Sequence, residues 1–523
     1  MEDSNIKVSS HLQYVPFDAR PKEIPGQVLY STYNADSADA TGWSFNITSP
    51  APNALLDNQV IIEYKIKINS ANLPANILHN SPGTVADNLQ IAFRGGYPIC
   101  RSYINLSATI NGVNVNTQPN KWIDAMTRLC MDYEEQSSIA TMSMGGELDV
   151  GRGYALGVSG SATTAINSPD PIARDGVNLA NSTGVVGIWD WLNTSFDKRR
   201  ARLLQFLVDR RAANAANGAY GPTVDDDDDV NVIVYERLPL APFFFFENKD
   251  IHQNIPNIRT LDLVCQLLST AAARREAILQ CRAAAPGVTV KICDGTGQTP
   301  KLHLRWNMTT APIPAQISIP CPIIKTFQER VASDDITLNL PANAAAIPAD
   351  GYATVDVNMR TINLEGIPDM FLIYCKKTVE GSRDSNDHFY SIHQLDITIG
   401  GASGKVASMT SVEMYQAYLR NLSIIGGQRI SWDDWWRYHC CAVLLPEDLG
   451  IQKGPGFNFP TQMTINAKIR SYHIIPSQPN LGSSVIDTAG STRDMYCAIY
   501  YDKYFLTLSN TGAAKLELLK AVM

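Results

Sequence analysis

The sequence predicts an all-β protein made of two large β-sandwich units, and three observations carry this prediction. Strand-like runs recur at spacings of about 8–15 residues with turn residues between them, which is typical of β-sandwiches. The chain of 523 residues is long enough for two all-β units of about 200–250 residues each. Each half also has one clear helical pattern late in its strand series, near residues 196–213 and 410–422. This parallel suggests that the two halves are related.

Strand signals in the first half begin after a polar stretch that contains three prolines. Alternating and β-branched residues predict strands over residues 59–69 and 102–116. The second run contains Asn111 and Gly112 between two alternating segments. This pair predicts a β-hairpin, because Asn and Gly accept the positive φ values of a type I′ turn. The pattern then predicts a short helix over residues 120–135, strands over 230–240 and 257–268, and a helical bridge over 271–285.

The second half continues with six strand-like runs between residues 288 and 377 and another over 388–401. A helix follows, where Thr410 and Glu413 have the spacing of a capping box. Two further strands close the series, over residues 459–472 and 496–508. We therefore predict four segments: an N-terminal arm (1–45), a first unit with long loop insertions (46–285), a second unit (286–480) and a C-terminal tail (481–523).

Composition excludes several classes of function. The net charge is −8 and no long basic stretch exists, which argues against condensation of DNA by this chain. The first ten residues lack the apolar core of a signal peptide, and no run reaches the ~18–20 apolar residues of a membrane span. The ten cysteines are scattered, so we predict reduced and mostly buried thiols made in a reducing compartment.

Motifs of catalysis or metal binding are sparse. The run Asp225–Asp229 could hold calcium, but it lacks the alternation and the glycine of an EF-hand, and an exposed loop tip is favoured. Lys405 ends a glycine-rich stretch but Val406 follows it, so the phosphate-loop spacing is not met. The eight histidines form no zinc motif, and no nucleophile elbow occurs. We predict no catalytic, cofactor-binding or metal site.

The stretch RISWDDWWRYHCC, which starts at Arg429, is the densest group of chemically versatile side chains. Ser431 followed by Asp433 and Asp434 fits the cap and first turn of a short helix, where carboxylates meet the positive end of the helix dipole. Trp432 and Trp435 are three residues apart and can share one buried face, with Trp436 one step round. A structural anchor is the favoured interpretation. Sugar binding by exposed tryptophans and catalysis or metal binding by the aspartates are the alternatives.

Several motifs in a fixed order resemble one family. They are YPICRSYINLSATINGVNVNT, LPLAPFFFFENKDI, NIRTLDLVCQLL, KLHLRWNMTT, ISIPCPI, IPDMFLIYCKK, FYSIHQLDITIGGASGKVASMTSVEMYQAYLRN and SWDDWWRYHCCAVLLPEDLGI. Spread over about residues 55–475, they resemble the double jelly-roll major capsid proteins of virophages, polinton-like viruses and related tailless icosahedral DNA viruses. The resemblance is strongest in the second half.

The resemblance implies two eight-stranded jelly-roll sandwiches side by side, with long loops towards the outside of a shell and the termini towards the inside. It implies a homotrimeric, pseudo-hexameric capsomer that tiles an icosahedral virion around double-stranded DNA. Partners would be neighbouring capsomers, penton proteins and minor or cement proteins, with an internal membrane as a further candidate. The chain would be made and assembled inside the host cell, would not be an enzyme and would not bind nucleic acid sequence-specifically. A tandem β-sandwich lectin is the alternative.

Overall fold

The computed structural model describes residues 26–69, 91–93, 100–130, 229–243, 254–281, 289–293, 298–310, 312–331, 354–378, 389–400, 402–427, 429–432, 435–436, 439–451, 461–470, 474–478, 482–485 and 493–518. Within these ranges strands dominate over helices. The prediction of an all-β chain is confirmed.

Fourteen strands precede residue 310. They are β1 (Val28–Asn34), β2 (Ser37–Asp39), β3 (Gly42–Thr48), β4 (Ala54–Asp57), β5 (Ile61–Asn69), β6 (Ile91–Phe93), β7 (Tyr103–Ile110), β8 (Val113–Thr117), β9 (Asp229–Arg237), β10 (Asn254–Ile255), β11 (Thr260–Leu267), β12 (Leu279–Cys281), β13 (Thr289–Ile292) and β14 (Lys301–Met308).

Fourteen more strands follow in the described residues. They are β15 (Gln316–Pro320), β16 (Ile323–Val331), β17 (Thr354–Asn358), β18 (Ile362–Leu364), β19 (Met370–Lys377), β20 (Ile392–Ile399), β21 (Ala402–Thr410), β22 (Cys441–Leu444), β23 (Thr461–Arg470), β24 (Ile474–Gln478), β25 (Gly482–Val485), β26 (Arg493–Tyr501), β27 (Tyr504–Ser509) and β28 (Ala514–Leu518).

The helices are short and few in the described residues. The α-helices are α1 (Ile123–Leu129), α2 (Ala271–Ile278) and α3 (Ser411–Ile425), and 3₁₀ turns lie at Cys100–Ser102, Pro119–Lys121 and Pro446–Leu449. The predicted capping box is present: the Thr410 N–H donates to Glu413 Oε2 at 2.7 Å, and the Glu413 N–H donates to Thr410 Oγ1. The helix predicted near residues 196–213 lies outside the described residues.

The first unit runs from Val28 to Met308 and contains two main sheets. In sheet 1, β14 pairs with β1 on one side and with β4 and β5 on the other, and β9, β10 and β13 complete the sheet. Sheet 2 has the order β2-β3-β11-β7-β8. The inner faces of both sheets are buried and mainly apolar, and the ring centroids of Trp43 in sheet 2 and Tyr64 in sheet 1 are 5.9 Å apart.

The second unit runs from Gln316 to Leu518 and repeats this plan. Sheet 3 has the order β16-β26-β19-β22, and sheet 4 has the order β17-β23-β20-β21, with β18 also on β23. In each unit a strand near the beginning of the unit lies beside the last long strand, as in β1-β14 and β16-β26. In each unit a helix follows the outer strand of the other sheet directly: α1 comes after β8, and α3 comes after β21. The two units therefore have equivalent topologies.

These pairings correct the predicted segment boundaries. The predicted arm (1–45) includes β1, which pairs with β14 along all seven of its residues. The predicted start of the second unit at residue 286 is wrong, because β13 and β14 hydrogen-bond to β5 and belong to sheet 1. The predicted tail (481–523) is wrong as well, because β26 lies between β16 and β19 at the centre of sheet 3.

Candidate functional site

The tryptophan turn lies beside α3. The Trp435 N–H donates to the Ser431 carbonyl at 2.8 Å, which is one helical bond. Trp435 is fully buried, and its ring lies 5.3 Å from Tyr415 and 6.4 Å from Tyr418, both on α3. These contacts hold the turn against α3. Trp435 thus has the surroundings of a core residue and no free ring face for a sugar.

Trp432 is less buried than the sequence suggested, since 37% of it is exposed. Its ring stacks on Trp435 at 5.8 Å and lies nearly parallel to Trp436 at 5.8 Å and 7°. Trp436 is half-buried and meets His393 edge-on at 5.0 Å. The cap predicted for Asp433 lies outside the described residues, as does Asp434. The anchoring role of this group stays a prediction.

Asn111 and Gly112 form the tight turn between β7 and β8. Both have positive φ, 48° and 84°, as a type I′ turn requires. The Asn111 side chain also accepts hydrogen bonds from the N–H groups of Arg259 and Thr260 at 2.7 and 3.1 Å. The turn is therefore fastened to the neighbouring strand β11.

The groups considered for metal or catalytic chemistry give no assembled site in the described part of the chain. No group of three or more His, Cys, Asp or Glu side chains within the described ranges could hold a metal ion. Asp229 begins β9 opposite Asn69, and residues 225–228 lie outside the described ranges. Nine cysteines within the described ranges are buried, as the sequence predicted. Burial raises the pKa of Cys440 to about 12, so that thiol stays protonated and unreactive. None of the described helices has the length and apolar character of a membrane span.

A buried charge network joins the two units, and no motif in the sequence predicted it. All seven residues of α1 are buried, because sheet 3 of the second unit covers the side that its own unit leaves open. Asp124 of α1 pairs with Lys376 of β19 at 2.6 Å and with Arg101 at 2.8 Å. The Lys376 ammonium also donates to the Asn120 carbonyl at 3.2 Å. Charges this deeply buried require such paired partners.

Aromatic side chains surround this network. Tyr374 of β19 stacks on Tyr496 at 5.3 Å and lies 4.5 Å from Phe389, and its hydroxyl donates to the Lys121 carbonyl of the first unit. The Arg128 guanidinium of α1 lies 5.4 Å over the Phe389 ring. Burial raises the pKa of Tyr374 well above its usual value, so the hydroxyl stays a neutral donor. The junction is thus a buried interface inside one chain, held by ion pairs and ring contacts.

One signal for this junction is present in the sequence. The first six residues of β19, MFLIYC, are apolar without alternation, and all eight residues of the strand are buried. Such continuous runs are typical of strands that are covered on both faces. Sheet 3 is covered on one face by sheet 4 and on the other by α1 and the turn before it.

Among the described residues, the outer face of sheet 1 has no such cover and presents exposed apolar side chains. Tyr30 is 76% exposed and Ile233 49% exposed. The Tyr30 ring lies 5.8 Å from the Arg305 guanidinium, and Tyr235 lies 5.9 Å from His303. Since directly opposite residues of antiparallel strands share a face, the registers of β1, β14, β5 and β9 place these groups on one surface.

Ion pairs hold the middle of this outer face. Glu63 accepts hydrogen bonds from Lys301 at 3.2 Å and bonds His303 Nε2 at 2.8 Å. Burial alone would raise the pKa of Glu63, but the bonds from His303 and Lys301 outweigh it and the pKa is lowered. The carboxylate therefore stays charged at neutral pH. The surface combines aromatic rings and an arginine, residue types that are enriched at protein–protein interfaces, with lysine and glutamate, which are depleted there.

Comparisons with known proteins place this architecture. Residues 336–440 match the family model described as the major capsid protein V20 C-terminal domain. The cryo-EM structure of the Sputnik virophage aligns with a TM-score of 0.62 at 16% identity, covering 100% of this chain and 93% of that one. The chain has a double jelly-roll fold. The crystal structure of the mavirus major capsid protein aligns with a TM-score of 0.58 at 14% identity, covering 99% of this chain and 93% of that one.

The resemblance to double jelly-roll major capsid proteins, stated from the motifs of the sequence, is thereby confirmed. The first and second units are the two jelly rolls, and α1 of the first packs against sheet 3 of the second. No curated protein sequence matches the chain, so the likeness lies in the fold and in one stretch of the second jelly roll.

Proposed function

We propose that the chain is a major capsid protein whose trimers form pseudo-hexameric capsomers of an icosahedral virion around double-stranded DNA. The observation that carries the proposal is the pair of topologically equivalent jelly rolls, joined by a buried interface within one chain. Three such chains present six similar sandwiches. A ring of six similar units has an outline close to a hexagon, and hexagons tile a shell with near-identical contacts.

The surface chemistry supports a mechanical role. The net charge of −8 disfavours direct packing against phosphates, so basic proteins other than this chain would neutralise the packaged DNA. Penton proteins, minor or cement proteins and an internal membrane remain proposed partners. The protein would act in the virion, assembled inside the host cell, and would not be an enzyme.

The lectin alternative depends on exposed tryptophans. Only Trp432 of the three is exposed by more than a third, and its ring stacks on both Trp435 and Trp436 and meets Tyr415 edge-on. A sugar platform needs an open aromatic face, so this arrangement favours packing over binding.

The mass in solution separates the two functions. We expect size-exclusion chromatography with light scattering to give a stable species of three times 57.4 kDa for the purified full chain. A monomer that binds a glycan array, with binding lost on Trp432→Ala, would contradict the capsid proposal and support the lectin.

A further inference from the structure

β28, the last strand that the structure describes, lies at the edge of a small sheet with the order β15-β27-β28. The strand at the opposite edge, β15, is buried through Ile317, Ser318 and Ile319. β28 has no fully buried residue, and among the described strands none pairs with its second side. We call this open side of residues Ala514–Leu518 the β28 edge.

The backbone of β28 presents hydrogen-bonding groups at this edge. The Ser509 N–H donates to the Ala513 carbonyl at 2.8 Å, where the hairpin between β27 and β28 closes. Successive residues of an antiparallel strand turn their backbone groups to alternate sides. Those of Lys515 and Glu517 therefore face β27, whereas those of Leu516 and of the residues two positions before and after it face the β28 edge. A row of open backbone groups can pair with a further strand.

The side chains of β28 divide into an apolar and a charged face. Ala514, Leu516 and Leu518 pack against the hydrophobic core but stay half-buried. Lys515 and Glu517 lie on the other face, where their side chains are 70% and 41% exposed and form an ion pair with each other. A strand added at the β28 edge would cover the remaining exposed area of the two leucines and would meet one charge of each sign.

The sequence of β28, AKLEL, is complementary to itself in one antiparallel register. When Leu516 lies opposite Leu516 of a second copy, each Lys515 lies opposite a Glu517, and each Ala514 lies opposite a Leu518. Opposite charges directly across two strands stabilise the pair, whereas like charges destabilise it. The neighbouring registers, centred on Lys515 or on Glu517, place like charges opposite each other. Charge therefore selects the register with its twofold axis at Leu516.

We infer that the β28 edge binds the β28 edge of a second copy of this chain, in an antiparallel pair centred on Leu516 that joins two three-stranded sheets into one. The interface is isologous, because the same surface meets itself about a twofold axis. Three copies around a threefold axis cannot pair in this way among themselves. The inference therefore rests on the proposed function and places the contact between chains of neighbouring capsomers, with one β28 edge available on each chain of a trimer.

Charge reversal tests the register. In sedimentation velocity we expect the wild-type chain to give species above three times 57.4 kDa as its concentration rises. Lys515→Glu places acids opposite acids and Glu517→Lys places bases opposite bases, so each variant alone should lose these species and stay trimeric. Mixing the two variants puts acids opposite bases again and should restore them. Arg360→Glu makes the same charge change at a side chain that is 90% exposed, and this control should behave as the wild type does.

Cross-linking tests the same register independently of charge. Position 515 of one copy lies directly opposite position 517 of the other, at a Cα distance of about 4.5 Å for a pair without mutual backbone hydrogen bonds, which a disulfide can span. Two positions 515 are diagonal neighbours about 7–8 Å apart. With oxidised glutathione we expect Lys515→Cys mixed with Glu517→Cys to give a cross-linked pair of chains, and either variant alone to give little. The nine described cysteines are buried and do not compete.

The outcomes separate this inference from the proposed function. Trimers whose cysteine variants give no cross-link when mixed, or charge variants that associate as the wild type does, overturn the β28 contact and leave the proposed function in place. A dimer of twice 57.4 kDa that cross-links only in the mixture supports the pairing of β28 but overturns the proposed function. A wild-type monomer that does not cross-link overturns both. Circular dichroism checks folding, and the cysteine variants decide the matter where a charge variant does not fold.

Discussion

Trp435 and Trp432 are neighbours in one helical turn but differ in burial. Trp435 has no exposed area and contacts two tyrosines of α3, whereas Trp432 is 37% exposed. Removing a fully buried Trp leaves a large cavity, so we expect Trp435→Ala to lower the free energy of unfolding by about 3–5 kcal/mol. Trp432→Ala should cost about 1 kcal/mol, since it loses ring contacts only. Equal losses for the two variants in guanidinium unfolding would contradict the packing described for this turn.

Lys376 lies at the centre of the junction between the jelly rolls. Replacing it by Met leaves the buried Asp124 without the partner at 2.6 Å, although Arg101 remains. We expect Lys376→Met to lower the free energy of unfolding by about 3 kcal/mol, because a buried charge loses its counter-ion. Arg360→Met is the matched control: Arg360 is 90% exposed in its pair with Glu329, and its loss should cost at most about 0.5 kcal/mol. A Lys376 variant as stable as the control would show that the pair does not hold the junction.

At the scale of elements, the position of β26 determines how much of the C-terminal segment can be removed without loss of folding. β26 hydrogen-bonds to β16 and β19 along its length, so a chain that ends at residue 492 lacks the central strand of sheet 3. We expect this truncation to give insoluble protein. A chain that ends at residue 518 keeps every described strand and should stay soluble with an unchanged melting temperature. Soluble, cooperatively folded protein from the shorter chain would instead support the prediction that residues 481–523 form a tail outside the second unit.

Short sequence motifs predicted individual turns and helices, whereas the assignment of strands to sheets depends on pairing between residues that are far apart in the sequence. Asn111 with Gly112 and Thr410 with Glu413 are signals within four residues, and the structure has the turn and the cap at those positions. β14 carries no local mark of its unit, because its place is set by pairing with β4, as in Trp306 opposite Leu56. Its assignment to the second unit was therefore wrong.

The junction between the jelly rolls could not be predicted from the sequence, because it too depends on contacts between distant residues. Asp124 and Lys376 are 252 residues apart, and in a short helix an acid is normally solvated. Only the absence of alternation in β19 pointed to a covered outer face. The exposed apolar face of sheet 1 could not be predicted from the sequence either. Its outward Tyr and Ile residues resemble ordinary strand residues, and only the strand register shows that they share one surface.

At the scale of the whole molecule, the fold repeats one jelly-roll topology twice and joins the copies by a helix on a sheet. The same relation, continued between chains, would generate a closed ring of six jelly rolls from three chains. Stable obligate assemblies of this kind bury more than about 2,000 Å² per interface, with apolar centres. Exposed apolar side chains on the outer face of sheet 1 and on α3, among them Tyr30, Ile233, Val412 and Ile424, supply candidates for such a centre.

Electron microscopy of the purified 523-residue chain distinguishes a trimeric capsomer from a single chain. We predict particles with threefold symmetry and a hexagonal outline in class averages, with six density lobes that correspond to the jelly rolls of three chains. Two-lobed particles of a single chain, at concentrations where the protein is folded, would contradict the proposal that three chains form a capsomer.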